Sequence, residues 1–126
     1  MIIKTRKFDR WARKAGLVDK LLCHAVAEMV MGLVDADLGG GVYKKRIALP
    51  GRGKSGSVRT LLATNRHNRW FFVFGFEKNE RANVSTKELE ALQLIAADLL
   101  SMKEEQIRQA VIDGALLEVN NEKTNQ

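Results

Sequence analysis

The chain has 126 residues and a mass of 14.1 kDa, enough for one domain that buries its own core and little more. Its single cysteine, Cys23, excludes an internal disulfide framework and a four-cysteine zinc site, and no apolar run approaches the length of a membrane span. With no export signal, the cytoplasm is the expected compartment. The formal net charge of +6 is unevenly placed: ten basic residues against two acids between Val42 and Arg81, then four against eight from Ala82 to Gln126. A positive field confined to one segment favours a polyanionic partner, nucleic acid above all.

Met1 to Thr5 reads as a short strand. Phe8, Trp11 and Ala12 then give one apolar face to a helix over Lys7 to Lys14, which Ala15-Gly16 ends. A second helix is predicted from Val18 to Val34, because Val18, Leu21, Leu22, Ala25, Val26, Met29, Val30 and Leu33 recur at three and four residues. Leu38-Gly39-Gly40-Gly41 is expected to stop it. Val42 to Leu49 reads as a strand, Pro50 to Gly56 as a basic loop, and Val58 to Asn65 as a strand. Arg66 to Arg69 is a turn leading into a third strand of the middle segment, Trp70 to Phe76. Its run Trp70-Phe71-Phe72-Val73-Phe74 contains no polar residue, as suits a central strand. These last two strands should pair as an antiparallel hairpin, with residues whose numbers sum to about 135 facing each other. Ser85 and Glu88 form a capping-box pattern ahead of a helix with Leu89, Leu92, Ile95, Ala96 and Leu99 on one face. Ser101 to Glu104 repeats the pattern before a last helix to about Asp113, and Leu116 to Gln126 is expected to fray. Trp70, Phe72, Phe74, Leu21, Val26, Met29 and Leu92 are the expected core.

Chemistry is sparse. His24 and His67 lie far apart in sequence, and no Cys/His/acid cluster has metal-ligand spacing, so neither a metal nor a cofactor is expected. Cys23 and His24 are adjacent on a helix and cannot share a nucleophile-base geometry. Cys23 is expected to be a small buried hydrophobe and His24 to lie on the helix surface or at a helix contact. Gly51-Arg52-Gly53-Lys54-Ser55 lacks the full phosphate-loop frame and precedes a strand, which excludes a nucleoside-triphosphate site. The hairpin register instead draws Arg59 towards position 76 and within diagonal reach of Lys78, with Lys54 entering from the preceding loop. Three cations at one end of a sheet would clamp a phosphate and stabilise a phosphorane. A solvated basic sheet edge is the plainer alternative.

The residues Gly32 to Lys44, Gly51-Arg52-Gly53-Lys54-Ser55-Gly56, Arg59-Thr60-Leu61, Phe72 to Phe76, Lys78-Asn79-Glu80 and Ala82-Asn83 resemble the RelE-type toxins of bacterial toxin–antitoxin pairs, in the subgroup with a G-x-G-K-S-G-G-x-R segment. Ser57 stands where that subgroup usually has its second glycine, and there is no tyrosine beyond Tyr43. The resemblance covers about residues 1–100 as the toxin domain, with 101–126 as a helix and tail of the same domain. It implies an α/β (α+β) fold like that of microbial ribonucleases: a small antiparallel sheet with two N-terminal helices packed on it, and C-terminal helices. It also implies a cytoplasmic toxin, neutralised by a cognate antitoxin, often one with a helix-turn-helix, that cleaves messenger RNA in the ribosomal A site without a metal. Under that resemblance Lys54 is the candidate base or phosphate ligand, Arg59 stabilises the phosphorane, and Lys78 assists charge neutralisation or the leaving group. Arg52, Lys44, Arg46 and Arg81 would bind RNA. Two other readings keep the same scaffold: a gyrase poison of the ParE type, and a non-catalytic RNA-binding module.

Overall fold

A computed structural model describes residues 1–52 and 56–120. β1 (Ile2–Thr5) leads directly into α1 (Arg6–Ala15), because the Thr5 hydroxyl accepts from the Phe8 N–H and caps the helix. α2 (Asp19–Val30) follows, then β2 (Ala36–Gly39), β3 (Val42–Ile47), β4 (Val58–Thr64) and β5 (Trp70–Glu77). α3 (Thr86–Ser101), α4 (Glu104–Asp113) and β6 (Leu116–Glu118) complete the order. The strands form one six-stranded sheet in the order β2-β3-β4-β5-β1-β6. Every pairing is antiparallel except β1 with β5. The fold is therefore α+β, as expected, with a mostly antiparallel sheet.

Helices cover both faces of this sheet. On one, Phe8 and Ala12 of α1 and Leu22, Ala25, Val26 and Met29 of α2 pack with Val58, Leu62, Trp70 and Phe72. On the other, Leu92, Ala96 and Leu99 of α3 and Ile107 of α4 pack with Leu61, Ala63, Phe71 and Val73. That is why Trp70 to Val73 carries no polar residue: successive side chains enter two different cores. Of the expected core, Trp70, Phe72, Val26, Met29 and Leu92 are buried, while Leu21 and Phe74 are only half-buried.

Several boundaries differ from the sequence expectation. α2 stops at Val30 rather than Val34, and Val30 and Leu33, expected on its packed stripe, are exposed, as is Val18 ahead of it. Ala36–Gly39 is an edge strand, and the glycine run is the hairpin turn between β2 and β3 rather than a helix stop. Gly39, Gly40 and Gly41 have φ values of 87°, 62° and 83°, which side-chain-bearing residues rarely adopt. Ser101 ends α3, with its hydroxyl donating to the Asp98 carbonyl, so α4 begins later, where the Lys103 N–H donates to the Gln106 side chain. Leu116–Glu118, expected to fray, pairs with β1. Ile95, placed on the packed face of α3, is 43% exposed.

Candidate functional site

The pleat decides which basic residues meet. Leu61 belongs to the core under α3, so Arg59, two residues before it on β4, projects from the same face. Lys44 pairs with Leu61, Arg46 with Arg59, and Arg59 with Phe76. The Arg59–Phe76 pairing has the register that the sequence implied. Of these residues Arg46 is exposed, and Lys44 and Arg59 are half-buried. The Arg59 guanidinium donates to the Ser57 hydroxyl at 3.1 Å. Ser57, which takes the place of a glycine in the resembling subgroup, thus holds the arginine at the heart of the cluster.

A bulge supplies the aromatic part. The β4–β5 register shifts between Leu61 and Leu62, which pair with Phe74 and Phe72 and leave Val73 as the extra residue. Strict alternation would send Phe72, Phe74 and Phe76 to one face. The extra residue reverses the alternation, so Phe72 enters the α1–α2 core while Phe74 and Phe76 lie side by side on the α3 face, with ring centroids 6.3 Å apart. The Arg81 guanidinium lies over both rings, 5.5 Å from Phe74 and 5.7 Å from Phe76. Its Nη1 also donates to both carboxylate oxygens of Glu88, at 2.6 and 2.8 Å. Glu88 in turn accepts from the Ser85 N–H and caps α3. The bond from Arg81, followed by the one from the Ser85 backbone, holds the Glu88 carboxyl down at about 2. Arg81 is thereby fixed on its aromatic pair by the same carboxylate that starts the helix.

Not every cation of the basic segment belongs here. Lys45 is buried and binds Glu28 at 2.8 Å and the Leu33 carbonyl at 3.0 Å, tying β3 to the end of α2. The bond from Lys45 is the main reason that the Glu28 carboxyl is lowered. Arg66 donates to the Met29 carbonyl and lies over the Tyr43 ring, and Arg69 donates to the Leu100 carbonyl. Arg52 sits towards the opposite face, bonded to Glu77 at 3.1 Å and to the last carbonyl of α1, that of Ala15, at 3.4 Å. Lys78 is exposed in the turn that follows β5, two residues beyond Phe76. Lys54 lies outside the described residues. The structure thus brings Lys44, Arg46, Arg59 and Arg81 onto one face, leaves Lys78 exposed in the turn beyond β5 and holds Arg52 apart.

His24 is exposed on α2, 3.2 Å from Glu28, as the sequence suggested, whereas Cys23, expected to be buried, is only half-buried beside the core. Among the described residues no group of three or more His, Cys, Asp or Glu is placed to hold a metal ion. Nor is any of their helices long and apolar enough to cross a membrane. The pair under Arg81 is the part that the sequence reading missed. Its trace is Phe-Gly-Phe at period two with an arginine five residues on, but the bulge that sets the pair on this face has no signature in composition or periodicity.

The face can bind phosphate through its guanidinium and ammonium groups, beside the half-buried Phe74 ring and the buried Phe76 ring that Arg81 covers. No curated protein matches the chain. The model of the family described as the RelE toxin of the RelE/RelB toxin–antitoxin system matches residues 1–119, nearly the whole length, and the chain belongs to that family of toxins.

Proposed function

We propose that this toxin acts in the cytoplasm as a ribosome-dependent endoribonuclease that cuts messenger RNA in the A site, and that a cognate antitoxin, of helix-turn-helix type, silences it. The observation that carries the reading is the convergence of Lys44, Arg46, Arg59 and Arg81 on one sheet face in a RelE-family chain. The 2′-hydroxyl attacks its own phosphate, the bond to the 5′-oxygen breaks, and the products are a 2′,3′-cyclic phosphate and a free 5′-hydroxyl. Lys54 accepts the 2′-hydroxyl proton or binds the phosphate, and Lys78 neutralises or protonates the departing oxygen. Arg59 stabilises the extra charge of the phosphorane, with Ser57 holding its guanidinium in place. Lys44, Arg46 and Arg81 bind the flanking RNA. Arg52 reaches the RNA only by leaving Glu77. Three cations without a histidine pair make a weak catalyst on free RNA, so alignment of the message by the ribosome supplies what the side chains do not.

The test is induction in a bacterial host followed by mapping of messenger RNA 5′ ends. New ends inside translated codons are expected within minutes. Intact messages with a DNA-damage response would replace this reading with that of a gyrase poison.

A further inference from the structure

The sheet has a second cationic surface, on the face away from Arg59. α1 packs Phe8, Ala12 and Ala15 inward and half-buries Trp11. Its exposed residues are Arg6, Lys7, Arg10, Arg13 and Lys14, so every exposed side chain on this helix is a cation. At 1.5 Å per residue they form a stripe about 12 Å long. Arg6, Arg10 and Arg13 also line a groove of about 280 Å³ between α1 and Leu117 of β6, with Asp9 at its base. Arg6 donates to the Gly114 carbonyl and Arg13 to Asp9. Lys7, Arg10 and Lys14 make no ion pair or hydrogen bond among the described residues.

Arg13 and Lys14 sit favourably in the last turn, but the rest of this placement opposes helix electrostatics. Lys7–Arg10, Arg6–Arg10 and Arg10–Lys14 are like charges three or four residues apart, and Arg6 and Lys7 sit at the positive end of the helix dipole. A polyanion along the stripe relieves both. The surface is also wrong for a protein partner, whose interface core buries apolar side chains. The large exposed hydrophobics, among them Val30, Met31, Leu33, Leu94 and Ile112, all lie outside α1.

We propose that α1 is a second nucleic-acid site that grips the phosphate backbone of double-helical RNA through Lys7, Arg10 and Lys14, with Arg6 and Arg13 along the groove. The chain would then hold structured RNA on one face of the sheet and present the other to the message. The choice of RNA rests on the function proposed above. The binding test has no cleavage step, so the two readings fail separately.

The experiment measures binding of a labelled 20-base-pair RNA duplex by the purified chain across a salt series. The variant Lys7→Gln/Arg10→Gln/Lys14→Gln keeps helix propensity and touches no structural bond, and an unchanged circular dichroism melt checks its fold. Loss of three phosphate contacts should flatten the slope of log affinity against log salt by about 2–3 and weaken binding on the order of tenfold or more. Lys87→Gln/Arg108→Gln, which removes two exposed cations on α3 and α4 outside both surfaces, should bind the duplex within about twofold of the parent, well short of the slope change expected when contacts are lost. Parental affinity and slope in the α1 variant, or an equal loss in the Lys87/Arg108 variant, would overturn the proposal. So would an α1 variant that keeps the duplex but loses an acidic peptide such as poly-glutamate, which would make α1 a surface for an acidic protein.

Discussion

Arg46 and Arg59 face each other across β3 and β4, the closest placement of two like charges that an antiparallel ladder allows. The sheet bears this repulsion, and Ser57 fixes one of the two guanidinium groups. A phosphate between them turns the repulsion into a clamp, which is the physical basis for giving Arg59 the central role. Gly75 is the residue that lets the neighbouring aromatics take their places. A β-carbon there would lie 2.2 Å from the Trp11 ring, so α1 can close over β5 only because this position has no side chain. Gly75→Ala must push a rigid indole out of the core, and we expect a loss of about 1–3 kcal/mol, measured by urea denaturation. The displacement should also shift the Phe74 and Phe76 resonances on the far face. A variant as stable as the parent would show that Trp11 does not seal this position.

At the scale of elements, the start of α3 and the site share one carboxylate. Glu88 serves the Ser85 cap and the Arg81 guanidinium together. Because its folded value is depressed, the stabilisation it brings is present above the ordinary glutamate range and is lost as the pH falls through the folded value of about 2. A carboxyl-detected NMR titration should place the Glu88 midpoint near 2, and Arg81→Ala should return most of the way to the ordinary value of 4.5. A midpoint that is ordinary in the parent, or unmoved in the variant, would break the link between Arg81 and the helix cap. The same scale shows what was legible in the sequence. α3 and its capping box could be read because cap and stripe are local signals. β2 and β6 could not: each is an edge strand of four residues or fewer, defined by a partner distant in the chain or by a glycine turn. α2 ran too long in the reading because the apolar repeat continues through Val30 and Leu33, yet the chain turns at Gly32, where φ is 94°. The hairpin register of Arg59 was legible, whereas the bulge at Val73 was not, so Phe74 was assigned to the core with Phe72 instead of to the site with Phe76.

Over the whole molecule, charge is sorted by role. Lys4 of β1 holds Asp9 of α1 at 2.8 Å and Asp19 of α2 at 2.7 Å, so one mostly buried ammonium ties the first three elements together. Burial by itself would raise the Asp9 carboxyl, but the bonds from Lys4 and Arg13 outweigh it and hold the group below its ordinary value. Lys45, Arg66 and Arg69 staple other parts of the fold. The positive segment seen in the sequence was therefore partly structural, and composition had no means of separating staples from site. With these staples and the Glu77-bound Arg52 set aside, the described cations of the segment are Lys78 in the turn after β5 and the sheet face with Lys44, Arg46, Arg59 and Arg81, in a chain of the RelE toxin family. The most direct test is the rate of messenger RNA cleavage on translating ribosomes by the parent, by Arg59→Ala and by the distal control Lys20→Ala, with matched protein levels and folds. If Arg59 stabilises the phosphorane, its loss should lower the rate by about 10²–10³ while Lys20→Ala stays within about twofold of the parent, and a 2′-deoxynucleotide at the scissile position should abolish the cut. An Arg59→Ala variant that cleaves at the parental rate would contradict the account and return the cluster to a solvated sheet edge.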